Sequence, residues 1–212
     1  MSLLARRLQM TGPPAESGFA YEFATANNSP IPKPTGVVEG TMLVALLSGS
    51  WGSDAPVMPS GWTSRQKNNT GTTSLHAWGE IATKVAGSSE PAEYDFQATN
   101  WFRGMIVAVN GHGGLTDWGG TADASLTMTV PSVDGAAGGL YLGQVGVRTA
   151  TFATWPADID ILEKIDGSRG RIKWAESLDA GGATGTRTVT VEGGITVADS
   201  RHIAQAITLA PA

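Results

Sequence analysis

The feature that most constrains the fold of this chain is the alternation of apolar and polar residues along short segments. The alternation is clearest in residues 125–130, where leucine, methionine and valine take turns with serine and threonine. It recurs in residues 75–84, 158–165 and 171–178. Because successive side chains of a β-strand point to opposite faces of its sheet, each segment predicts a strand with one buried face and one face in water.

Three further segments, Met42–Leu47, Met105–Val109 and Leu140–Val147, are mostly apolar, which is typical of central strands covered on both faces. No stretch combines a sustained period of 3.6 residues with capping residues, so few or no helices are expected. Glycine and proline clusters separate the segments at intervals of about 8–12 residues, as in β-sandwiches and barrels. One cluster, Asp166–Gly170, predicts a hairpin. The pattern predicts an all-β protein of roughly ten to twelve short strands.

Length and composition favour a single folded domain. The chain has 212 residues, which suffice to bury a core, and its seven tryptophans argue against disorder. Charged residues make up only 16% of the chain, against ~25% in an average domain. Two prolines in Thr11-Gly-Pro-Pro14 resist both helix and central strand. We therefore expect an irregular N-terminal arm over residues 1–18 and one β-sandwich domain over residues 19–212.

Charge and residue usage exclude several classes of function. The net charge is −5 and the longest basic cluster is the pair Arg6-Arg7, so the footprint of a nucleic-acid-binding protein is missing. The chain has no cysteine, which excludes disulfides, thiol catalysis and cysteine-ligated metals. The longest strongly apolar run, Met42–Leu47, is far shorter than the ~20 residues of a spanning helix, and no signal-peptide pattern follows Arg7. We expect synthesis in the cytoplasm and no membrane association.

The sequence also lacks the signatures of common enzymes. It contains no Gly-x-Ser-x-Gly elbow, no His-Glu-x-x-His pair and no phosphate-binding loop that ends in lysine. Gly181–Arg187 is similar to a phosphate loop, but it leads into a strand pattern where a helix N-terminus would be needed. The histidines at positions 76, 112 and 202 are far apart in sequence, whereas a metal site needs three or four ligands. We expect no catalytic residue, no cofactor and no metal site.

The segment Gly111–Gly120 is the most unusual in the chain, because it predicts a glycine-rich loop that holds His112, Asp117 and Trp118. In such a loop Trp118 stacks on a sugar ring, inserts into a partner subunit, or folds back over the edge of the sandwich. Trp51 lies in another glycine- and serine-rich segment and has the same three interpretations. These four residues, His112, Asp117, Trp118 and Trp51, are the candidate contacts to a ligand or partner.

Two other positions favour structural roles. Pro59-Ser-Gly-Trp62 predicts a turn that delivers Trp62 into a strand, where a large aromatic side chain plugs one end of the core. Glu90, just before Pro91, predicts a turn in which the carboxylate accepts backbone N–H groups. A lone glutamate without a second carboxylate is not a glycosidase pair.

Several segments together resemble a known family. The segments are Gly40–Ala45, Pro59–Thr63, Ala82–Pro91 with Tyr94 and Phe96 after it, Ala180–Thr188, and Ile207–Pro211. They are similar to motifs of β-sandwich proteins encoded in bacteriophage structural modules and described as minor tail, head-decoration or hypothetical virion proteins. The resemblance spans about residues 36–212, and it departs from the family where Val109–His112 replaces an aromatic-Arg-Gly segment. It implies a jelly-roll-like antiparallel β-sandwich with a place on the virus particle, and it brings no catalytic site.

Three functions follow from these expectations. The first is a virion structural protein, a decoration, spike or tail-associated module that contacts other capsid or tail proteins and copies of itself, with a trimer expected by analogy with jelly-roll spikes. The second is a carbohydrate-binding module that recognises a host surface glycan through Trp51 and Trp118. The third, a sandwich-fold hydrolase or lyase, needs a cluster of catalytic groups that the sequence does not show.

Overall fold

The structure is a computed structural model that describes residues 19–50, 56–71, 76–97, 102–157, 159–168, 170–192 and 201–212. Within these ranges the chain forms strands and no helix. The described residues therefore contain no helix that is long and apolar enough to cross a membrane. In chain order the strands are β1 (Ala20–Ala26), β2 (Ile31–Pro32), β3 (Met42–Ser50), β4 (Thr63–Asn69), β5 (Ala77–Val85), β6 (Glu93–Tyr94), β7 (Phe102–Asn110), β8 (His112–Ala124), β9 (Thr127–Val130), β10 (Asp134–Gly135), β11 (Leu140–Val147), β12 (Thr149–Ala150), β13 (Phe152–Thr154), β14 (Asp160–Ile165), β15 (Gly167–Ser168), β16 (Arg171–Ser177), β17 (Gly182–Ala183), β18 (Arg187–Val191) and β19 (Arg201–Pro211).

Two five-stranded antiparallel sheets dominate the architecture. Sheet I has the strand order β1-β7-β3-β5-β4, and sheet II has the order β14-β16-β11-β19-β8. Every strand of sheet I comes from residues 20–110, and every strand of sheet II comes from residues 112–211. A smaller sheet III has three strands in the order β13-β18-β9. In the described ranges, the remaining sheets have two strands each. Each main sheet is therefore built from one continuous half of the chain.

The inner faces of sheets I and II form a shared apolar core. Apolar residues repeat at every second position of β3, β7 and β11, as the alternation of side chains in a strand requires. The buried members of this core are Met42, Val44, Leu46, Ile81, Met105, Val107 and Val109 from sheet I, and Leu140, Leu142, Ala175, Ile207 and Leu209 from sheet II.

The outer face of each main sheet is covered as well. Connecting segments cover sheet I and bring Ile31, Trp62, Tyr94 and Phe96 onto it. Sheet III covers sheet II, and the cluster between them includes Met128, Val130, Tyr141, Trp174 and Val189. Because both faces of both sheets are covered, central strands of either sheet have no face in water.

The predicted all-β antiparallel sandwich is confirmed. Twelve of the strands have four or more residues, and the others are short pairings of two or three residues. The three apolar segments form the buried strands β3, β7 and β11, as predicted. Met128 and Val130 of β9 are buried while Thr127 and Thr129 are exposed, and β14 and β16 form the hairpin predicted around Asp166–Gly170. Residues 1–18, the predicted arm, lie outside the described residues.

Two predictions about strands are wrong. His76 and Glu80 in the segment 75–84, and Arg171 and Lys173 in the segment 171–178, were expected on wet faces, but all four side chains are buried. The reason is that β5 and β16 are interior strands whose second face is also covered.

The segment Gly111–Gly120 was expected to form a loop, but most of it belongs to β8, a strand of 13 residues at the edge of sheet II. Its backbone pairs with β19 along nearly the whole length, with register shifts near Leu209 and Pro211. The long-range pairing with β19 therefore overrides the local preference of glycine for turns.

Candidate functional site

The predicted contact residues on β8 do not form one site. Trp118 is 36% exposed, and the guanidinium of Arg65 on β4 lies 5.3 Å from the centroid of its ring. This cation–π contact joins the edge strand of sheet II to the edge strand of sheet I. Trp118 therefore presents a half-exposed aromatic ring that a basic side chain from the other sheet holds in place.

Asp117 and His112 have structural partners in the backbone. The Oδ2 atom of Asp117 accepts a hydrogen bond from the backbone N–H of Asp134 at 2.9 Å, which ties β10 to β8. The Nε2 atom of His112 lies 3.0 Å from the carbonyl oxygen of Gly40, so this nitrogen carries the proton and donates. Five positions separate the two residues, which is roughly 16 Å along a strand. Trp51, the fourth predicted contact, lies outside the described residues.

Residues of two of the segments that carry the resemblance meet in one place, which we call the Trp62 cluster: Trp62, Lys84, Glu90, Tyr94 and Phe96. The backbone N–H of Trp62 donates to the carbonyl oxygen of Pro59 at 3.1 Å, which closes the predicted turn. The indole ring then packs edge-on against Tyr94 and Phe96, with ring centroids 5.2 Å apart in both pairs. Trp62 is 7% exposed, so its predicted burial is confirmed, but it lies in the cluster on the outer face of sheet I and not in the core between the two main sheets.

Glu90 joins the polar side of the Trp62 cluster. Its Oε2 atom accepts hydrogen bonds from Lys84 Nζ at 2.7 Å and from Tyr94 Oη at 2.9 Å. Its Oε1 atom accepts from the backbone N–H of Gly87 at 2.7 Å, as the predicted turn requires. Burial raises the pKa of Glu90, but these three hydrogen bonds outweigh it and hold the pKa below its usual value. A carboxylate that stays ionised and accepts three hydrogen bonds is suited to fixing a turn.

A buried row of polar side chains crosses the inner face of sheet II, and the sequence pattern did not predict it. Strand register places Glu163, Lys173, Gln144 and Gln205 side by side on β14, β16, β11 and β19. The Nε2 atom of Gln144 donates to Gln205 Oε1 at 2.6 Å and to the carbonyl oxygen of Leu47 in sheet I at 3.2 Å. The row therefore connects the two main sheets through hydrogen bonds as well as through the apolar core.

The charged end of this row contains a two-to-one ion cluster. Arg171 donates to Glu163 through Nε at 2.7 Å and through Nη2 at 2.9 Å, and Lys173 Nζ lies 3.4 Å from the same carboxylate. Burial raises the pKa of Glu163, but the charges and hydrogen bonds of Lys173 and Arg171 outweigh burial and lower the pKa to about 2. Glu163 is thus held ionised between two cations.

The structure and three comparisons with known proteins were searched for a metal site and for relatives. Within the described ranges, no three histidine, aspartate or glutamate side chains lie close enough together to hold a metal ion. Searches of the chain against models of known protein families, against curated proteins and against solved structures found no match.

Proposed function

We propose that this chain is a bacteriophage virion structural protein, a decoration, spike or tail-associated module that assembles by symmetric contacts. The observation that carries the proposal is the Trp62 cluster. The turn that contains Trp62 and the segment from Lys84 to Tyr94 are two of the five segments by which the sequence resembles phage β-sandwich proteins, and they contact each other. Motif residues that pack together as a unit support a resemblance of whole folds, because isolated chance matches have no reason to meet in space.

The use of charged groups also supports a structural role. Glu90 fixes a turn, Asp117 ties β10 to β8, and Glu163 lies between two cations inside the sandwich. Each of these carboxylates is engaged with backbone or side-chain donors, so none of the three stands free as a general acid or base. A protein that uses its acidic groups in this way fits a module built for stability and contact with other proteins.

The proposed partners are other capsid or tail proteins and further copies of this chain, and the proposed location is the virion after synthesis in the host cytoplasm. Native mass spectrometry of the purified full chain tests the symmetric assembly, with a trimer as the expected species. Co-sedimentation of a tagged chain with phage particles tests the location. A chain that remains monomeric at all concentrations and stays at the top of the gradient contradicts the proposal.

A second function, recognition of a host surface glycan, is favoured by Trp118 alone. Aromatic rings that are partly exposed and held rigid are suited to stacking on sugar rings, and Arg65 holds this one. The test is retention of the protein on immobilised host polysaccharide. The double variant Trp51→Ala with Trp118→Ala should lose retention if this function is correct.

The matched control for that experiment is Trp155→Ala. Trp155 is 37% exposed and also contacts a cation, since Lys164 Nζ lies 4.9 Å from its ring centroid. Its loss should leave retention unchanged. Equal retention of both variants and the unmodified chain contradicts a role for Trp51 and Trp118 in glycan binding.

A further inference from the structure

The inner face of sheet II carries more positive than negative charge at one end of the polar row. Arg171 is 1% exposed and Lys173 is fully buried, and both point to the single carboxylate of Glu163. Positive charge on Arg103 and Arg171 further disfavours the charged form of Lys173. Burying a charge without a counter-charge is costly, so the excess cation requires an explanation.

Two strong donors and one acceptor of this region have no hydrogen-bond partner in the part of the chain that the structure describes. They are Arg171 Nη1, Lys173 Nζ and Gln144 Oε1. Arg171 uses its Nε and Nη2 atoms on Glu163, which leaves Nη1 free. Lys173 approaches Glu163 only at 3.4 Å, and it lies opposite Gln144 in the strand register. Buried polar groups of native proteins nearly always have a partner, so the two orphaned donors indicate a missing acceptor, whereas Gln144 Oε1 is itself an acceptor and is not explained by an anion.

The protonation state of Lys173 agrees with a missing anion. Burial lowers the pKa of its amino group, Glu163 raises it and Arg171 lowers it again, with a net value of about 8. At pH 7 most of the lysine is therefore still charged. Arg171 is also charged and Glu163 is ionised, and Arg103 acts on Lys173 as a further positive charge, so the cations of this region outnumber the carboxylate of Glu163.

The space between the sheets limits the size of the missing group. Gly146 lies opposite Arg171 in the strand register. A Cβ atom added to Gly146 would lie 2.8 Å from Cβ of Ser48 on sheet I, so the two sheets approach closely beside the cluster. A polyatomic ligand such as a nucleotide does not fit such a gap.

We propose that Arg171 and Lys173 bind a small monovalent anion of the size of chloride or bromide between the two main sheets. The anion accepts from Arg171 Nη1 and Lys173 Nζ, and it offsets positive charge that Glu163 alone leaves unbalanced. The site is independent of the proposed virion role, because it rests only on the interior of the sandwich. Its effect is to stabilise the contact between sheets I and II, since an ion that binds only the folded chain raises its stability.

Thermal unfolding of the full chain in sodium bromide tests this site, with sodium gluconate keeping the ionic strength constant and the pH held at 7. Each tenfold increase of bromide above its Kd should raise the Tm by about 3–5 °C for a chain of this size. The variant Lys173→Met removes one of the two cations that hold the anion and should lose the response, and it also reports the general effect of the salt on folding. The control variant Lys164→Met alters a lysine on the neighbouring strand that pairs with Asp166, and it should respond like the unmodified chain.

A crystal of the full chain grown in bromide gives a second measurement that does not depend on whether Lys173→Met folds. The proposal predicts an anomalous scattering peak within hydrogen-bonding distance of both Arg171 and Lys173. A Tm response that is the same for the unmodified chain and Lys173→Met overturns the proposal. A bromide crystal with no anomalous peak at these two residues also overturns it.

Discussion

At Trp62 one large side chain packs into the apolar cluster on the outer face of sheet I. Gly61 makes this possible, because its φ of +82° is a left-handed conformation that glycine adopts without strain. A Cβ atom at Gly61 would also lie only 3.2 Å from the Lys84 side chain. The turn thus places the indole ring against Tyr94 and Phe96, and leaves Lys84 room to reach Glu90.

Replacement of Trp62 by alanine should lower the free energy of unfolding by about 3–5 kcal/mol, because it removes a buried aromatic side chain and leaves a cavity. Urea unfolding followed by circular dichroism measures the loss. Trp155→Ala, which removes an exposed tryptophan, is the control and should cost less than about 1 kcal/mol. Similar losses for both variants would show that Trp62 is not a core residue.

Glu163 should make stability depend on pH in a defined direction. Its pKa of about 2 in the folded chain lies below the ordinary value of 4.5, so the folded state favours the ionised form. The resulting stabilisation is fully present above pH 4.5 and is lost as the pH falls toward 2, and it is on the order of 3 kcal/mol. Glu163→Gln lacks this contribution.

Urea unfolding at a series of pH values measures this effect. At pH 7 Glu163→Gln should be less stable than the unmodified chain by about 3–5 kcal/mol, because two buried cations lose their partner. The difference between the two proteins should shrink as the pH falls from 5 to 3. A difference that stays constant over that range contradicts the account of Glu163.

Residue roles were predictable where the local sequence determines them. Trp62 follows a proline and a glycine that set its turn, and Glu90 precedes a proline, so both roles follow from a few neighbouring residues. The burial of Lys173 was not predictable in this way. The alternation of apolar and polar residues around Lys173 is the one expected of a strand with one face in water. Its burial results from packing against sheet I, which comes from the other half of the chain.

At the scale of strands, close contacts between neighbouring strands depend on glycine. Gly143 of β11 lies opposite Trp174 of β16, and a Cβ atom at Gly143 would lie 2.3 Å from the indole ring. The absence of a side chain lets the ring of Trp174 lie over β11 and stack near Tyr141, with ring centroids 6.3 Å apart. This arrangement contributes to the cluster between sheets II and III.

Gly143→Ala should therefore lower the free energy of unfolding by about 1–3 kcal/mol, because the added methyl group forces Trp174 to move. The measurement is the midpoint of urea unfolding. Gly87→Ala is the matched control, since a Cβ atom there meets only Glu90 Oε1 at 3.7 Å, an ordinary contact. An unchanged midpoint for Gly143→Ala would mean that the ring does not lie over this glycine.

Strands were predictable from the sequence to different extents. The apolar strands β3, β7 and β11 have compositions that suit only a buried strand. The segment from Gly111 to Gly120 comprises the residue before the edge strand β8 and the first part of that strand. It contains five glycines, and this composition favours turns. Only its pairing with β19, more than 75 residues later, makes it a strand.

At the scale of the whole molecule, the two halves of the chain are interdependent although each forms its own sheet. The core between the sheets takes residues from both halves, such as Leu46 and Leu142, and the amide of Gln144 crosses from sheet II to the backbone of sheet I. Either sheet alone would expose one large apolar face to water.

The described residues should therefore unfold together. Differential scanning calorimetry of the full chain should give one transition whose calorimetric and van't Hoff enthalpies agree. Fragments cut between β7 and β8 should not fold separately. Two resolved transitions, or a fragment with native-like strand content in solution, would contradict the shared core.

The proposed virion role is most directly tested by quantitative mass spectrometry of phage particles purified from the source of this chain's gene, with copies of the chain counted per particle. The virion role predicts that every particle contains the chain in the same defined number of copies. Hundreds of copies indicate decoration of the capsid or tail tube, and a small multiple of three indicates a spike or tail-tip position. Absence of the chain from purified particles would contradict the proposed function and make glycan binding or catalysis the leading alternatives.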